Sequence, residues 1–243
     1  MKMNRKMSGG FTLVELLVVI VIIAALAGLT APMVIRQRKK ADQTEAVSNA
    51  RQVGFAMMEF ETEYGSYPQG DLGKEINDRT GGSLAPTTIS KSNDAFRQLI
   101  AAEIAPTEVM FYCKTGYSTK KPDNVSNTAA NALSKGEVGF GYIMNQEEAF
   151  TAAGNPGRVL IAAPLEYSGG SINAEKFDRD AYDAKAVVLK MDNSVTSLAV
   201  NKDGKAILST GSGSGTSTKF LLDGNSDDTV WGKTSPTMKT PDK

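Results

Sequence analysis

The chain has 243 residues, of which 41% are apolar, enough for one sizeable domain or for a smaller domain plus an anchor. Its 27 basic and 27 acidic side chains balance, so the chain as a whole has no basic footprint for nucleic acid. It has no histidine and a single cysteine, which removes Ser-His-Asp and Cys-His nucleophile systems, leaves zinc without its usual ligands and forbids an intramolecular disulfide.

The charge balance hides an asymmetry at the amino terminus. Lys2, Arg5 and Lys6 fall in the first ten residues, which contain no acid. From Leu16 to Ile35 the next 20 residues carry no charge, the length a helix needs to cross a bilayer. Basic residues before an apolar run resemble an export signal, but here the small residues Ser8, Gly9 and Gly10 precede the run. Cleavage beside them keeps the apolar segment and discards only the basic leader. No cysteine lies nearby, which excludes a lipoprotein anchor. Glu15 is the one acid at the head of this segment, and an acid in hydrocarbon costs roughly 2–3 kcal/mol even on permissive scales. One reading places Glu15 near the cytoplasmic interface, where that cost falls away. The other gives it a partner: a cut after Gly10 leaves an α-amine on Phe11, which pairs in a helical bundle with Glu15 of its own or a neighbouring subunit.

The stretch "GGFTLVELLVVIVIIAALAGLTAPMV" resembles the N-terminal cleavage and methylation segment of type IV pilins and type II secretion pseudopilins, with Gly10, Phe11, Thr12, Leu13, Glu15 and the apolar tail at the family's motif positions. The resemblance implies cleavage between Gly10 and Phe11 by a membrane-bound prepilin peptidase, N-methylation of Phe11, and a role for Glu15 in subunit registration. Pro32 falls where many of these proteins kink their helix. The same resemblance puts the leader in the cytoplasm and the rest outside. Positive-inside counting leaves the orientation open, because Arg36, Arg38, Lys39 and Lys40 follow the span against three bases before it.

The helical pattern continues beyond the span. Ala46, Ala50, Val53, Met57, Phe60 and Tyr64 recur at alternating spacings of four and three, an amphipathic stripe, and charged residues occupy mostly other faces. Gly65 and Pro68 end the helix at about Tyr64. The stripe is too short for a sustained coiled coil and is expected to pack on the chain's own sheet. The pair Tyr67-Pro68 after such a helix also resembles the secretion pseudopilins.

Residues 66–93 are polar and read as a surface loop region. Ser92, Asn93 and Asp94 are set to cap a short helix carrying Phe96, Leu99 and Ile100 and stopped by Pro106. "VMFYC" at 109–113 reads as a short strand, with Cys113 a small buried hydrophobe, and 115–135 as a second loop. Strands are expected at 137–144, 158–163 and 184–191, the last turning at Asp192-Asn193 into another antiparallel strand. The fold expected is α+β, with a long N-terminal helix, half transmembrane and half amphipathic, packed on a C-terminal antiparallel sheet; the resemblance implies the same pilin-like fold. Its parts are a basic leader over 1–10, a transmembrane and assembly helix over 11–35, its amphipathic continuation over 36–64, a loop and short-helix region over 65–135, a sheet region over 136–235 and a frayed tail over 236–243.

"LLDGNSDDTVW" sets Asp223, Asn225 and Asp227 at alternate positions with Asp228 adjacent, a spacing at which oxygen ligands can curl around calcium. It is not an EF-hand, and Asp, Gly, Asn and Ser also simply form turns. Two functions fit the whole. The first is a structural prepilin or pseudopilin subunit of the bacterial inner membrane, single-pass with an extracytoplasmic C-terminal domain. It is processed and then polymerised into a type II secretion pseudopilus or type IV pilus-like filament. Its partners are other subunits, the prepilin peptidase and the inner-membrane assembly platform, and it is not an enzyme. The second is a membrane-anchored enzyme or ligand-binding domain using carboxylates such as Glu147, Glu148, Asp178, Asp180 or Asp183.

Overall fold

A computed structural model describes residues 11–146, 148–151, 155–209, 219–223, 230–231 and 234–243. It divides into two compact units, one ending at Lys39 and the other running from Lys40 to Lys243. Helix α1, Leu13–Tyr64, contributes its first part to one and its second part to the other.

In the first unit every described residue from Phe11 to Arg38 is exposed, although the side chains are Leu, Val, Ile, Ala and Met almost throughout. A helix that is apolar all round has no inner face of its own and must be covered by something else. Among the described residues this is the one helix long and apolar enough to cross a membrane. Its few polar groups are satisfied locally, with the Thr30 hydroxyl donating to the Leu26 carbonyl at 3.1 Å. Pro32 lies inside the helix and has no N–H to offer the carbonyl four residues back.

In the second unit the stripe is buried as its spacing predicts, with Ala46, Ala50, Val53, Met57 and Phe60 all at 0% exposure. The helix closes on Gly65, which takes a left-handed φ of 79° while its N–H donates to the Glu61 carbonyl at 2.8 Å. The main sheet is wholly antiparallel. Its strands are β1 (Gly141–Asn145), β2 (Val159–Ala163), β5 (Lys185–Lys190), β6 (Val195–Ala199) and β9 (Pro236–Lys239), in the order β6-β5-β2-β1-β9. The β5–β6 turn falls at Asp192-Asn193: Asn193 adopts φ 60° and the Ser194 N–H donates to the Asp192 carboxylate at 2.9 Å. The fold is thus the pilin-like α+β arrangement, a long N-terminal helix with a C-terminal antiparallel sheet.

Several local expectations are corrected. The region read as loop over 66–93 contains helix α2, Leu72–Thr80, with Leu72 and Ile76 buried one turn apart and Gly81 closing it at φ 69°. Two apolar residues in nine give too little periodicity to announce a helix. "VMFYC" is not a strand. Glu108–Phe111 form a 3₁₀ turn, because the carbonyls of Val109 and Tyr112 accept from the buried Asn49 amide and that of Phe111 from Gly139. The short helix α3, Ser92–Ala101, is capped by Asp94 alone, whose carboxylate accepts from the N–H groups of Ser90 and Lys91. Strand β1 begins at Gly141 rather than 137. A hairpin of β3 (Leu165–Ser168) and β4 (Ser171–Phe177) turns at Gly169-Gly170, both at positive φ, and a small pair joins β7 (Ile207–Ser209) to β8 (Lys219–Phe220). The tail read as frayed over 236–243 is strand β9, paired with β1 from Tyr142↔Lys239 to Asn145↔Pro236.

The motif Tyr67-Pro68 is docked rather than exposed: Tyr67 is fully buried and the Tyr142 hydroxyl donates to the Pro68 carbonyl at 3.0 Å. Glu108 is also buried, at 2% exposure, with Oε1 accepting from the Leu133 N–H and Oε2 without a partner among the described residues. Burial, and after it the nearby carboxylates Glu137 and Asp123, raise its pKa from the ordinary 4.5. The folded chain therefore holds this proton more tightly than the unfolded chain, and the penalty appears as pH rises past the unfolded value. Replacing Glu108 with Gln is expected to raise Tm at about pH 8, with the gain shrinking towards pH 4, in calorimetric scans of both chains.

Candidate functional site

The residues singled out from sequence converge on the start of α1. Thr12 stands immediately before the helix, and Glu15 is in its first turn. The Thr12 N–H and hydroxyl both donate to Glu15 Oε2, at 2.8 and 2.7 Å, and the Glu15 N–H donates back to Thr12 Oγ1 at 3.2 Å. This is a reciprocal capping box, with Thr at the cap and Glu three residues on. A negative charge here also faces the positive end of the helix macrodipole. The carboxylate therefore has a local reason for its place, one that the sequence pattern Thr-x-x-Glu carries beside the amine reading. Oε1 makes no hydrogen bond to another described residue, so one carboxylate oxygen remains for a further donor. Phe11 is 76% exposed directly before the cap. Gly10, the other side of the expected cleavage point, lies outside the described residues.

The candidate calcium ligands are only partly on view. Asp223 is half-buried and its Oδ2 accepts from the Phe220 N–H at 2.8 Å, the bond of a turn former. Asn225, Asp227 and Asp228 lie outside the described residues. Among the described residues no group of three or more His, Cys, Asp or Glu side chains gathers as a metal site. The far end of this segment is anchored firmly: Trp231 is fully buried, its indole N–H donates to the Leu221 carbonyl at 2.6 Å, and Arg158 donates to the carbonyls of Val230 and Trp231.

The carboxylates of the enzyme alternative are dispersed. Glu148 lines a cleft of about 330 Å³ with Asp71, whereas Asp178 accepts from the Asp180 N–H in a turn and Asp183 is exposed at a positive φ. Glu147 lies outside the described residues. Cys113 is wholly buried, and desolvation pushes its pKa to about 12, so it stays a thiol and behaves as a small core group.

An exposed apolar helix headed by a Thr-Glu capping box thus leads into a domain of the pilin-like α+β fold, and residues 5–31 match the prokaryotic N-terminal methylation motif. The chain thus carries the prepilin-type segment of the type IV pilins and type II secretion pseudopilins. It is 37% identical over 71 residues to the type II secretion system core protein G of Aeromonas hydrophila, 29% of this chain and 50% of that protein. The protein of the same name from Vibrio cholerae is 37% identical over 75 residues, 31% of this chain and 51% of that one. That from Klebsiella michiganensis is 26% identical over 137 residues, 56% of this chain and 81% of that one. The chain therefore spans about half the length of the Aeromonas and Vibrio relatives it matches. No solved structure matches it.

Proposed function

We propose that the chain is a structural subunit of a type II secretion pseudopilus or related type IV pilus-like filament. The observation that carries this reading is the capped helix head, Thr12 to Glu15, placed directly after the Gly10-Phe11 junction and before 20 uncharged residues. Prepilin peptidase cuts between Gly10 and Phe11, and the new amine of Phe11 is methylated. The subunit waits in the inner membrane with its sheet domain extracytoplasmic. It then joins other pseudopilins through the assembly platform, with Pro32 as the point where the helix bends. The intact mass and N-terminal sequence of the native, membrane-extracted protein test this directly. A chain starting at Phe11 and heavier by one methyl group supports it, and an uncut Met1 start in a strain with active peptidase overturns it.

Glu15 has two tasks in this reading, capping its own helix through Oε2 and meeting the Phe11 amine of its own or a neighbouring subunit through Oε1. Glu15→Ala is expected to leave processing intact and reduce filament yield at least tenfold. Thr12→Ala removes only the cap, about 1 kcal/mol, and is expected to give a milder loss. Sheared-filament yield against processed subunit in the membrane separates the two; equal filaments from all three chains count against the pairing. Calcium at 223–228 is carried as a proposal on the oxygen-rich spacing of Asp223, Asn225, Asp227 and Asp228. Calcium at about a hundred times its Kd is expected to add about 2.7 kcal/mol to the stability of the domain from Lys40, read as a rise in Tm that EDTA reverses. An unchanged Tm removes calcium and leaves the turn.

A further inference from the structure

The basic residues after the span form no ion pair among the described residues. Arg36 and Arg38 are exposed and Lys39 is half-buried. None of them, nor Lys40 next in sequence, forms an ion pair among the described residues, and the first acid beyond them, Asp42, is taken by Lys114 at 3.3 Å. Their distance from the capped end matters. From Glu15 to Arg36 α1 runs on for 21 residues, about 32 Å along its axis at 1.5 Å per residue, against a hydrocarbon core of about 30 Å. With Glu15 at one interface, Arg36 stands at the phosphate level of the other. Their distribution matters as well. At about 100° per residue, Arg38 and Lys39 lie roughly 200° and 300° around the helix from Arg36. A single protein surface meets only one side of a helix, whereas lipid headgroups surround it.

We propose that Arg36, Arg38 and Lys39 form a collar that binds the phosphates of anionic phospholipids in the leaflet facing the sheet domain. This rests on the membrane reading of α1 given above. The guanidinium groups offer forked donors to phosphate oxygens and the ammonium a point charge. The collar also accounts for three of the four bases on the side of the span where positive-inside counting disfavours them: headgroups there supply the counter-charge that no acid among the described residues does.

The test uses the full chain in nanodiscs of equimolar phosphatidylcholine and phosphatidylglycerol. Lipids retained on release are read by native mass spectrometry, and R36Q/R38Q/K39Q is set beside the parent chain. The parent is expected to retain phosphatidylglycerol several-fold over phosphatidylcholine, and the variant to lose at least half of that enrichment while still inserting. A leader variant, K2Q/R5Q/K6Q, sets aside the contribution of the other leaflet and is expected to keep most of the enrichment. Insertion with equal retention of both lipids, or unchanged enrichment in R36Q/R38Q/K39Q, overturns the collar and leaves the span. A parent chain that enters neither lipid overturns the membrane reading, and the collar with it.

Discussion

Removing residues 236–243 is expected to abolish cooperative unfolding of the domain that begins at Lys40. These residues hold four register positions against β1 and bury Met238 to 5% exposure. Beyond the strand the backbone stays engaged: the Ser92 N–H donates to the Thr240 carbonyl at 3.1 Å, the Gly136 N–H to the Asp242 carbonyl at 2.9 Å, and the Asp242 N–H to the fully buried Asn93 amide oxygen at 2.8 Å. Leaving three such buried groups unpaired costs about 1–3 kcal/mol each. Losing the packing of a buried Met adds roughly 2–5 kcal/mol by analogy with truncation to Ala. The sum rivals the whole stability of a domain, about 5–15 kcal/mol. The truncation also turns β1, whose core side chains are buried, into an open edge able to pair with other chains. Thermal melting of the truncated and intact domain by circular dichroism checks this; a cooperative transition within a few degrees of the parent would show that β9 contributes little.

The second large effect is expected at Gly139. A Cβ there would lie 2.5 Å from both the backbone nitrogen and the backbone oxygen of Cys113, and would overlap its sulfur. Two of these are main-chain atoms in the core, which cannot swing aside as a side-chain end can. Gly139 is also tied at both its polar groups, with its N–H donating to the Phe111 carbonyl and its carbonyl accepting from the buried Tyr117 hydroxyl at 2.7 Å. That hydroxyl in turn accepts from the Leu165 N–H, so a shift at Gly139 strains the segment leading into β3. Overpacking of this kind costs about 1–3 kcal/mol and more where backbone must move, so we expect Gly139→Ala to lose about 3 kcal/mol or more. In a domain of this size that lowers Tm by about 6–12 °C. Gly54 is the informative contrast. A Cβ there would meet only the ends of the Asn193 and Leu189 side chains, and Ala gains about 1 kcal/mol in helix propensity, so the loss at Gly54→Ala should be much smaller.

What could be read from the sequence follows from how often a pattern repeats. The long helix shows twice, as an uncharged run and as a stripe with five zero-exposure positions, and β2 and β5 are short apolar runs bounded by turn formers. Strand β9 gives no such signal, because "PTMK" contributes one buried side chain and its place is set by a partner strand about ninety residues earlier. The 3₁₀ turn at 108–111 is decided by Asn49, sixty residues away, and not by its own composition. At the helix head the motif and Glu15 are legible, and the Thr-x-x-Glu spacing also encodes the cap, since Thr12 sits three residues before the acid.

The exposed apolar half of α1 restricts where the molecule can be at any moment. Sixteen large apolar side chains from Phe11 to Ile35 have no cover among the described residues. At roughly 1.5 kcal/mol each, leaving them in water costs on the order of 24 kcal/mol, more than folding a domain yields. Lipid tails and a bundle of like helices are two media that avoid this cost, and the passage between them has to be made without a free intermediate. If the chain assembles as proposed above, growth of its filament is a transfer between two oils across a seam, in which each helix must touch the receiving bundle before its last lipid lets go.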